Sequence, residues 1–371
     1  HYSNNLRTYW TNNNELLMSK KISFTAKLLG IAAVFFLAGL LSLLAAWVYV
    51  QDWLKTPLQI PAQGYVYELK QGQSLGYLAN DMGAAGILSH PRLLRLYARM
   101  NDANKVHAGE YFFSQGTTPE SLLQKLIKGD VILYQVTFVE GWTARQALAA
   151  LDKMDSIQHQ LTGKFATDQL ALLALPVKDL EGWIFPDTYS FSRNTPDVEI
   201  LQNAYRKMQT LLDAEWEKRA PNLPYKNTYE ALIMASIVER ETGHHSERDQ
   251  IAGVFVRRLQ QGMKLQTDPT VIYGMGDSYK GRITRKDLEE PTAYNTYVIP
   301  GLPPTPISLP SAASIKAALN PAPGKALYFV AKGDGTSEFS DTLDAHNQAV
   351  RRYQLNRRSD YRAAPPSAVE N

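Results

Sequence analysis

Hydrophobic and polar positions divide the chain into three regimes. Leu28 to Val50 is a run of 23 residues with no charge and no polar face. As a helix rising 1.5 Å per residue it reaches about 35 Å, against a hydrocarbon core of about 30 Å. Behind it, "TPLQIPAQG" (Thr56–Gly64) reads as a turn-rich linker. The rest of the chain alternates short β-like runs with helical periodicity.

One pattern occurs at three places, Tyr67–Asp81, Tyr111–Leu126 and Val136–Leu151. Each is a short β-like run, then Gly-x-Ser/Thr, then an amphipathic stretch. Ser74, Thr118 and Thr143 stand where helix N-caps belong, and Gly72, Gly116 and Gly141 make the turns. Small α+β modules are expected here, ending near Lys128–Asp130. Further on, periodicity predicts helices at Thr143–Met154, Asp197–Arg219, Asn227–Thr242, Glu247–Gln261, Arg285–Glu290 and Ser311–Leu319. "ALYFVA" (Ala326–Ala331) predicts a strand, "GDGTSEFS" a hairpin turn, and a helix starts near Leu343. The polar, Pro-containing tail, 356–371, is expected to be disordered.

The helix over 228–242 is unusual because Ala231–Val238 is apolar or small all round, which requires burial on most sides. Asn227 with Glu230 reads as a capping box and Gly243 as the C-cap. Leu232, Ala235, Ser236 and Glu239 share one stripe, whose small residues admit a close backbone or a ligand, while Glu241 projects to the far side. A general acid at neutral pH needs its pKa raised from roughly 4.3 to about 6, some 2–2.5 kcal/mol. A helix C-terminus supplies about 0.3–1 kcal/mol against an anion, so burial must supply the rest. The alternative is that Glu239 and Glu241 pair with Arg240 and Arg248 on a solvated helix end.

Composition narrows the chemistry. The 371 residues carry a net charge of only +3 and no cysteine. That balance gives no broad nucleic-acid footprint, and the absence of thiols removes disulfides, thiolate zinc sites and a cysteine nucleophile. Lys20, Lys21 and Lys27 precede the apolar run and Asp52 follows it, which predicts a single retained span with a cytoplasmic N-terminus. Trp47, Tyr49 and Trp53 are expected at the outer interface, and Met18, opening "MSKK", is the expected natural start. Glu241-Thr-Gly-His244 has a Glu-x-x-His spacing but no second copy, and there is no HExxH, so no metal is expected.

Three further stretches are candidate substrate surfaces. "EGWIFPDTYSF" (Glu181–Phe191) sets Glu181 among aromatics, which suits stacking on sugar rings or, equally, a core segment turning at Pro186–Asp187. "LQTDPTVIYGMG" places Gln266, Thr267, Asp268 and Tyr273 around a Pro turn. "PTAYNTYVIPGLPPTPIS" (Pro291–Ser308) is a long Pro-rich loop with Tyr294, Asn295 and Tyr297, whose aromatics favour an ordered loop.

Taken together, "ASIVERET", "LQTDPTVIYG", "EGWIFPDTY" and "PTAYNTYVIPGLPPTPI" resemble the signature segments of the MltG-type endolytic murein transglycosylases, the YceG-like family. The likeness runs over nearly all of residues 20–355, and "GQSLGYLA" also resembles the opening of a LysM module, a glycan-binding fold. The resemblance implies an α+β protein with segments 1–27 (cytoplasmic), 28–50 (transmembrane helix), 51–64 (linker), 65–130 (LysM-like module), 131–355 (mixed α/β catalytic domain) and 356–371 (tail). It implies Glu239 as the catalytic acid/base, with Glu181, Gln266, Thr267, Asp268, Tyr273, Tyr294 and Asn295 lining the substrate cleft. The implied reaction is non-hydrolytic cleavage of the MurNAc–GlcNAc β-1,4 bond of peptidoglycan glycan strands, without cofactor, at the periplasmic face of the inner membrane. Implied partners are the glycan, the membrane and peptidoglycan synthases, and no nucleic acid. The alternative is a non-catalytic glycan-binding scaffold of the wall-synthesis machinery.

Overall fold

The computed structural model describes residues 3–103, 105–243 and 245–355, with side chains from residue 27 onward. The expected disordered tail and His244 of the Glu-x-x-His spacing lie outside the described residues. The chain is mixed α+β and divides into two compact units, 1–132 and 133–371.

The first unit begins with α1, a 53-residue helix from Ser3 to Lys55. Within it, Lys27–Lys55 is long and apolar enough to cross a membrane. The helix continues five residues past Val50, into the stretch read as linker. Its last turns do not stay free: Trp53 and Leu54 are buried with Leu58, Ile60, Leu78 and Leu94. Trp53 is therefore a core residue rather than an interfacial anchor, and its indole N–H donates to Ser89 Oγ at 3.1 Å.

There follow β1 (Tyr65–Leu69), α2 (Leu75–Ala84), α3 (Pro91–Met100), β2 (Gly109–Phe113) and α4 (Pro119–Lys128). β1 and β2 pair antiparallel, Tyr65 opposite Phe113 and Leu69 opposite Gly109. α2 and α4 start at their expected caps. Ser74 accepts from the Gly76 amide, and Thr118 forms a capping box with Ser121. Alternate strand residues Tyr111 and Phe113 join Leu78, Met82, Leu94, Leu122 and Leu126 in a core with no solvent exposure.

The second unit runs through β3 (Leu133–Thr137), α5 (Ala144–Asp152), β4 (Ile157–Gln158), α6 (Ala166–Leu173), β5 (Thr188–Ser192), β6 (Thr195–Pro196), α7 (Asp197–Glu217), α8 (Thr228–Glu241), α9 (Arg248–Gln260), α10 (Asp268–Met275), α11 (Arg285–Glu289), α12 (Ala312–Leu319), β7 (Tyr328–Ala331), β8 (Ser337–Ser340) and α13 (Leu343–Val350). Its strands form small two-stranded sheets, β3 with β5, β4 with β6 and β7 with β8. The third Gly-x-Ser/Thr repeat belongs here: Thr143 caps α5, but its strand pairs with β5 rather than with the earlier repeats.

α8 is the centre of this unit. All residues from Ala231 to Val238 are buried, packed against α7, α9 and α12. Half of its expected capping box forms: Asn227 Oδ1 accepts from the Glu230 amide at 3.0 Å, but the Glu230 carboxylate accepts from the Lys226 amide at 2.7 Å instead of from Asn227. Its end differs from expectation. Thr242 is the C-cap in place of Gly243, turning extended (ψ 103°), and its hydroxyl donates to the Val238 carbonyl at 2.6 Å. α10 replaces the turn expected around Pro269, because proline in the first helical turn lacks only an N–H that would be unpaired anyway.

Candidate active site

The stripe of small residues on α8 admits a backbone. Ser236 Oγ accepts from the Ile307 amide at 3.0 Å, and its carbonyl accepts from Ser308 Oγ at 3.1 Å. The Pro-rich loop thus lies along α8, and the chain then turns into α12. This approach brings the start of α12 to Glu239, one turn further along the same stripe. Glu239 Oε2 accepts from the Ser311 amide at 2.9 Å, from the Ser311 hydroxyl and from Ser314 Oγ at 2.7 Å. Ser311 is also the N-cap of α12, accepting from the Ser314 amide at 3.2 Å. The positive end of α12 faces the carboxylate, opposing the negative end of its own helix.

Glu239's side chain is only 7% exposed, and its Oε1 lies 3.7 Å from Arg248 Nη2. That guanidinium, itself 9% exposed, also donates to His245 Nδ1 at 3.1 Å. Arg240 donates to the Gly141 carbonyl at 3.2 Å. The Gly141 amide in turn donates to the Leu309 carbonyl at 2.9 Å, and the Leu309 amide to the Trp142 carbonyl at 2.7 Å. These bonds bring the β3–α5 turn against Glu239: a Cβ on Gly141 would stand 4.0 Å from Glu239 Cγ. Glu140, next in that turn, has its carboxyl pushed above the usual range by partial burial and then by the Glu239 charge, with Arg248 and His245 pulling the other way. One carboxylate oxygen is therefore fixed by three donors, and the other is turned toward a cation, with a second acid nearby.

Glu241 serves the opposite side of α8. It accepts a hydrogen bond from the Thr267 hydroxyl, and burial pushes its carboxyl up to about 7, with Thr267 and Arg258 opposing and Asp268 adding to the shift. Thr267 is buried and its amide donates to Thr296 Oγ1 at 3.0 Å. Gln266 is exposed with φ 52°, its amide donating to the Thr296 carbonyl at 3.1 Å. Asp268, also exposed, accepts from Tyr297 OH at 2.6 Å. Asn295 is wholly buried. Its side-chain amide donates to the carbonyls of Asp287 (3.1 Å), Leu288 (3.0 Å) and Glu290 (2.8 Å), and its oxygen accepts from the Tyr297 amide at 3.0 Å.

A third group joins Glu181, Tyr273 and Tyr294. Glu181 is 4% exposed and accepts from the Ala144 amide at the start of α5 and from Tyr273 OH, both at 3.1 Å. Burial pushes it up to about 7 against those two donors. Tyr273 packs on Tyr294 with ring centroids 5.0 Å apart, and Tyr294 OH lies 2.9 Å from Thr305 Oγ1. α10 carries both Asp268 and Tyr273, so it joins the second group to the third.

Thr267, Asn295 and Glu181 thus have their polar atoms engaged inside the protein, whereas Gln266 and Asp268 reach the surface. Sequence reasoning missed Glu140, Ser311 and Ser314. Ser311 was readable as a helix start, but nothing local announces that its hydroxyl serves an acid 72 residues earlier. Glu140 sits in a readable Gly turn, and only the Leu309 pairing carries it to α8. No grouping of His, Asp and Glu suited to a metal is present among the described residues.

Residues 67–352 match the model of the YceG-like family, so the chain belongs to that family. It is similar to an endolytic murein transglycosylase of Bacillus subtilis (strain 168), 32% identical over 305 residues, covering 77% of this chain and 83% of the relative. A second relative, named endolytic murein transglycosylase in Streptococcus pneumoniae serotype 2 (strain D39 / NCTC 7466), is 27% identical over 337 residues. That match covers 81% of this chain and only 60% of the relative, less than two thirds of its length. Among solved structures, a yceG-like protein of Listeria monocytogenes is 26% identical with a TM-score of 0.49, over 78% of this chain and 99% of that one.

Proposed function

We propose that this chain is a membrane-anchored lytic transglycosylase that cleaves MurNAc–GlcNAc β-1,4 bonds within peptidoglycan glycan strands, with Glu239 as acid and then base. The observation that carries this reading is the asymmetric hold on Glu239. Ser311 and Ser314 fix Oε2, leaving Oε1 as the oxygen without a hydrogen-bond donor among the described residues, in a family whose relatives are named endolytic murein transglycosylases. Protonated Glu239 gives its proton to the GlcNAc oxygen as the C1–O4 bond breaks. The muramoyl 6-hydroxyl closes on C1, and the carboxylate takes the hydroxyl proton, leaving a 1,6-anhydro end. The nucleophile belongs to the substrate, so its effective concentration is high and one carboxyl suffices. Exposed Gln266 and Asp268 are the contacts we assign to glycan, while Glu181, Tyr273, Tyr294, Thr267 and Asn295 shape the surrounding wall.

α1 supports a single-span anchor, with lysines on its N-terminal side favouring a cytoplasmic N-terminus and a periplasmic enzyme. The strand-helix-helix-strand order from β1 to β2 supports reading 65–130 as a LysM-like glycan module ahead of a catalytic domain at 131–355.

Glu140 favours a second reading, because a carboxylate near the acid could activate water and give hydrolysis. Digestion of peptidoglycan by the full chain, read by mass spectrometry, separates the two. Anhydromuropeptides that vanish in Glu239→Gln support the transglycosylase. Reducing ends would establish the hydrolase, and equal anhydro product from the variant would sink the Glu239 assignment. Glycan binding without new ends would leave only the scaffold.

A further inference from the structure

The first unit carries a strongly charged surface on residues outside the candidate active site. α3 reads PRLLRLYARM, three arginines and no acid in ten residues. Leu94 and Ala98 are buried and Leu93 and Tyr97 pack on the core, while Arg92, Arg95, Leu96, Arg99 and Met100 are exposed. Spacing of three and four residues puts the arginines on one helix face with Leu96 between them. None of the three makes an ion pair or side-chain hydrogen bond among the described residues. The face also borders a groove of about 450 Å³, lined by Ser74, Gly76 and the same arginines.

α1 sets where this face lies. His90, the residue before α3, takes Tyr49 and Trp53 edge-on to its ring, with centroids 6.2 and 6.0 Å away. Tyr49 OH lies 3.4 Å from His90 Nε2. Tyr49 is in the last turn of the uncharged run, and four residues of helix separate it from Trp53, about 6 Å along the axis. The start of α3 is therefore level with the end of the apolar helix, within roughly the 8 Å over which surface charge acts at physiological salt.

We propose that the Arg92–Arg95–Arg99 face of α3 docks on anionic lipid headgroups of the membrane surface from which α1 emerges, with Leu96 and Met100 entering the headgroup layer. The inference rests on reading α1 as an anchor. Guanidinium groups pair with phosphate through paired N–H donors, and a helix face combining arginines with apolar residues suits an interface. Charge and position together favour lipid over a soluble anionic polymer, which would not need the face placed beside the span.

The chain has no cysteine, so a Leu96→Cys variant of the full chain takes one environment-sensitive fluorophore at that face. Reconstituted in nanodiscs, it is expected to emit at shorter wavelength in a phosphatidylcholine–phosphatidylglycerol mixture than in phosphatidylcholine alone. The shift should disappear in 1 M salt, where the screening length falls to about 3 Å. It should also disappear when Arg92→Glu, Arg95→Glu and Arg99→Glu are combined, and an unchanged circular-dichroism melt would show that variant folded. Equal emission in the two lipids overturns the docking, and so does a shift that survives charge reversal. A shift produced only by added peptidoglycan fragments overturns it in favour of glycan. The lipid comparison needs no charge variant, so it decides even if that variant misfolds. A chain that fails to stay with the discs overturns the anchor and the docking together, whereas one that stays without a lipid-dependent shift overturns only the docking.

Discussion

Ser314 Oγ donates to Glu239 Oε2 at 2.7 Å, joining the first turn of α12 to the last turn of α8 across 75 residues of sequence. With the Ser311 amide and hydroxyl on the same oxygen, it leaves the acid little freedom to rotate.

Ser314→Ala should therefore lower kcat for anhydromuropeptide release while leaving KM nearly unchanged. A hydrogen bond to a charged group contributes about 1.5–3 kcal/mol, which corresponds to roughly 10–100-fold in rate if it acts fully on the transition state. Wild-type turnover in this variant would show that Glu239 is oriented by other means.

Glu181 and Glu241 make stability fall with rising pH. Burial pushes both up to about 7, whereas the unfolded chain releases these protons near 4.3. Between those values the native state holds protons that the unfolded state has lost, so stability decreases as pH rises through this window. The cost above pH 7 is on the order of 3 kcal/mol per group. Glu241→Gln keeps an acceptor for Thr267 and removes one of the two charges. Its melting temperature should exceed that of the wild type at pH 8 and fall less steeply between pH 5 and 8. An unchanged slope would contradict the burial argument.

Asn295→Ala should destabilise the protein by about 2–3 kcal/mol, read as a lower urea midpoint at constant m. The change takes the Asn295 donor from the carbonyls of Asp287, Leu288 and Glu290, of which Glu290 keeps the Thr292 amide, and leaves the Tyr297 amide without its acceptor. Asn295→Asp should be at least as costly, because a carboxylate cannot donate to three carbonyls.

Gly182→Ala and Gly262→Ala separate steric overlap from backbone strain. Both glycines have positive φ, 79° and 68°. A Cβ at Gly182 would stand 2.5 Å from Pro306 Cβ, while at Gly262 nothing lies within 4 Å. Gly262→Ala should cost about 1 kcal/mol. Gly182→Ala should cost at least twice that and displace the Pro306 segment that lies along α8. Equal costs from denaturation curves would mean that this segment yields freely.

Most of the secondary structure was legible because it depends on neighbours in sequence. Asp197–Glu217, Arg248–Gln260 and Ala312–Leu319 follow apolar periodicity, and Ser74, Thr118, Thr143 and Ser311 cap the helices they precede. α3 and α6 are helices that the sequence pattern does not predict. Pro269 carries the same local signal at a helix start as in a loop, so α10 reads locally as a turn.

The sequence by itself determined that α8 is buried on nearly all sides and that Glu239 and Glu241 leave it in different directions, because helical geometry fixes both from spacing alone. What each glutamate meets was decided only by the tertiary structure. Ser311 and Ser314 hold Glu239, the Glu140–Gly141 turn closes on it, and Thr267 reaches Glu241 across 26 residues. A hydrogen bond forms wherever packing brings a donor to an acceptor, and a donor 72–75 positions away leaves no periodic trace in the chain. The same holds at the other end. The apolar length of α1 was written in its residues, but the burial of Trp53 against Ser89, and with it the placing of α3 beside the span, came from packing.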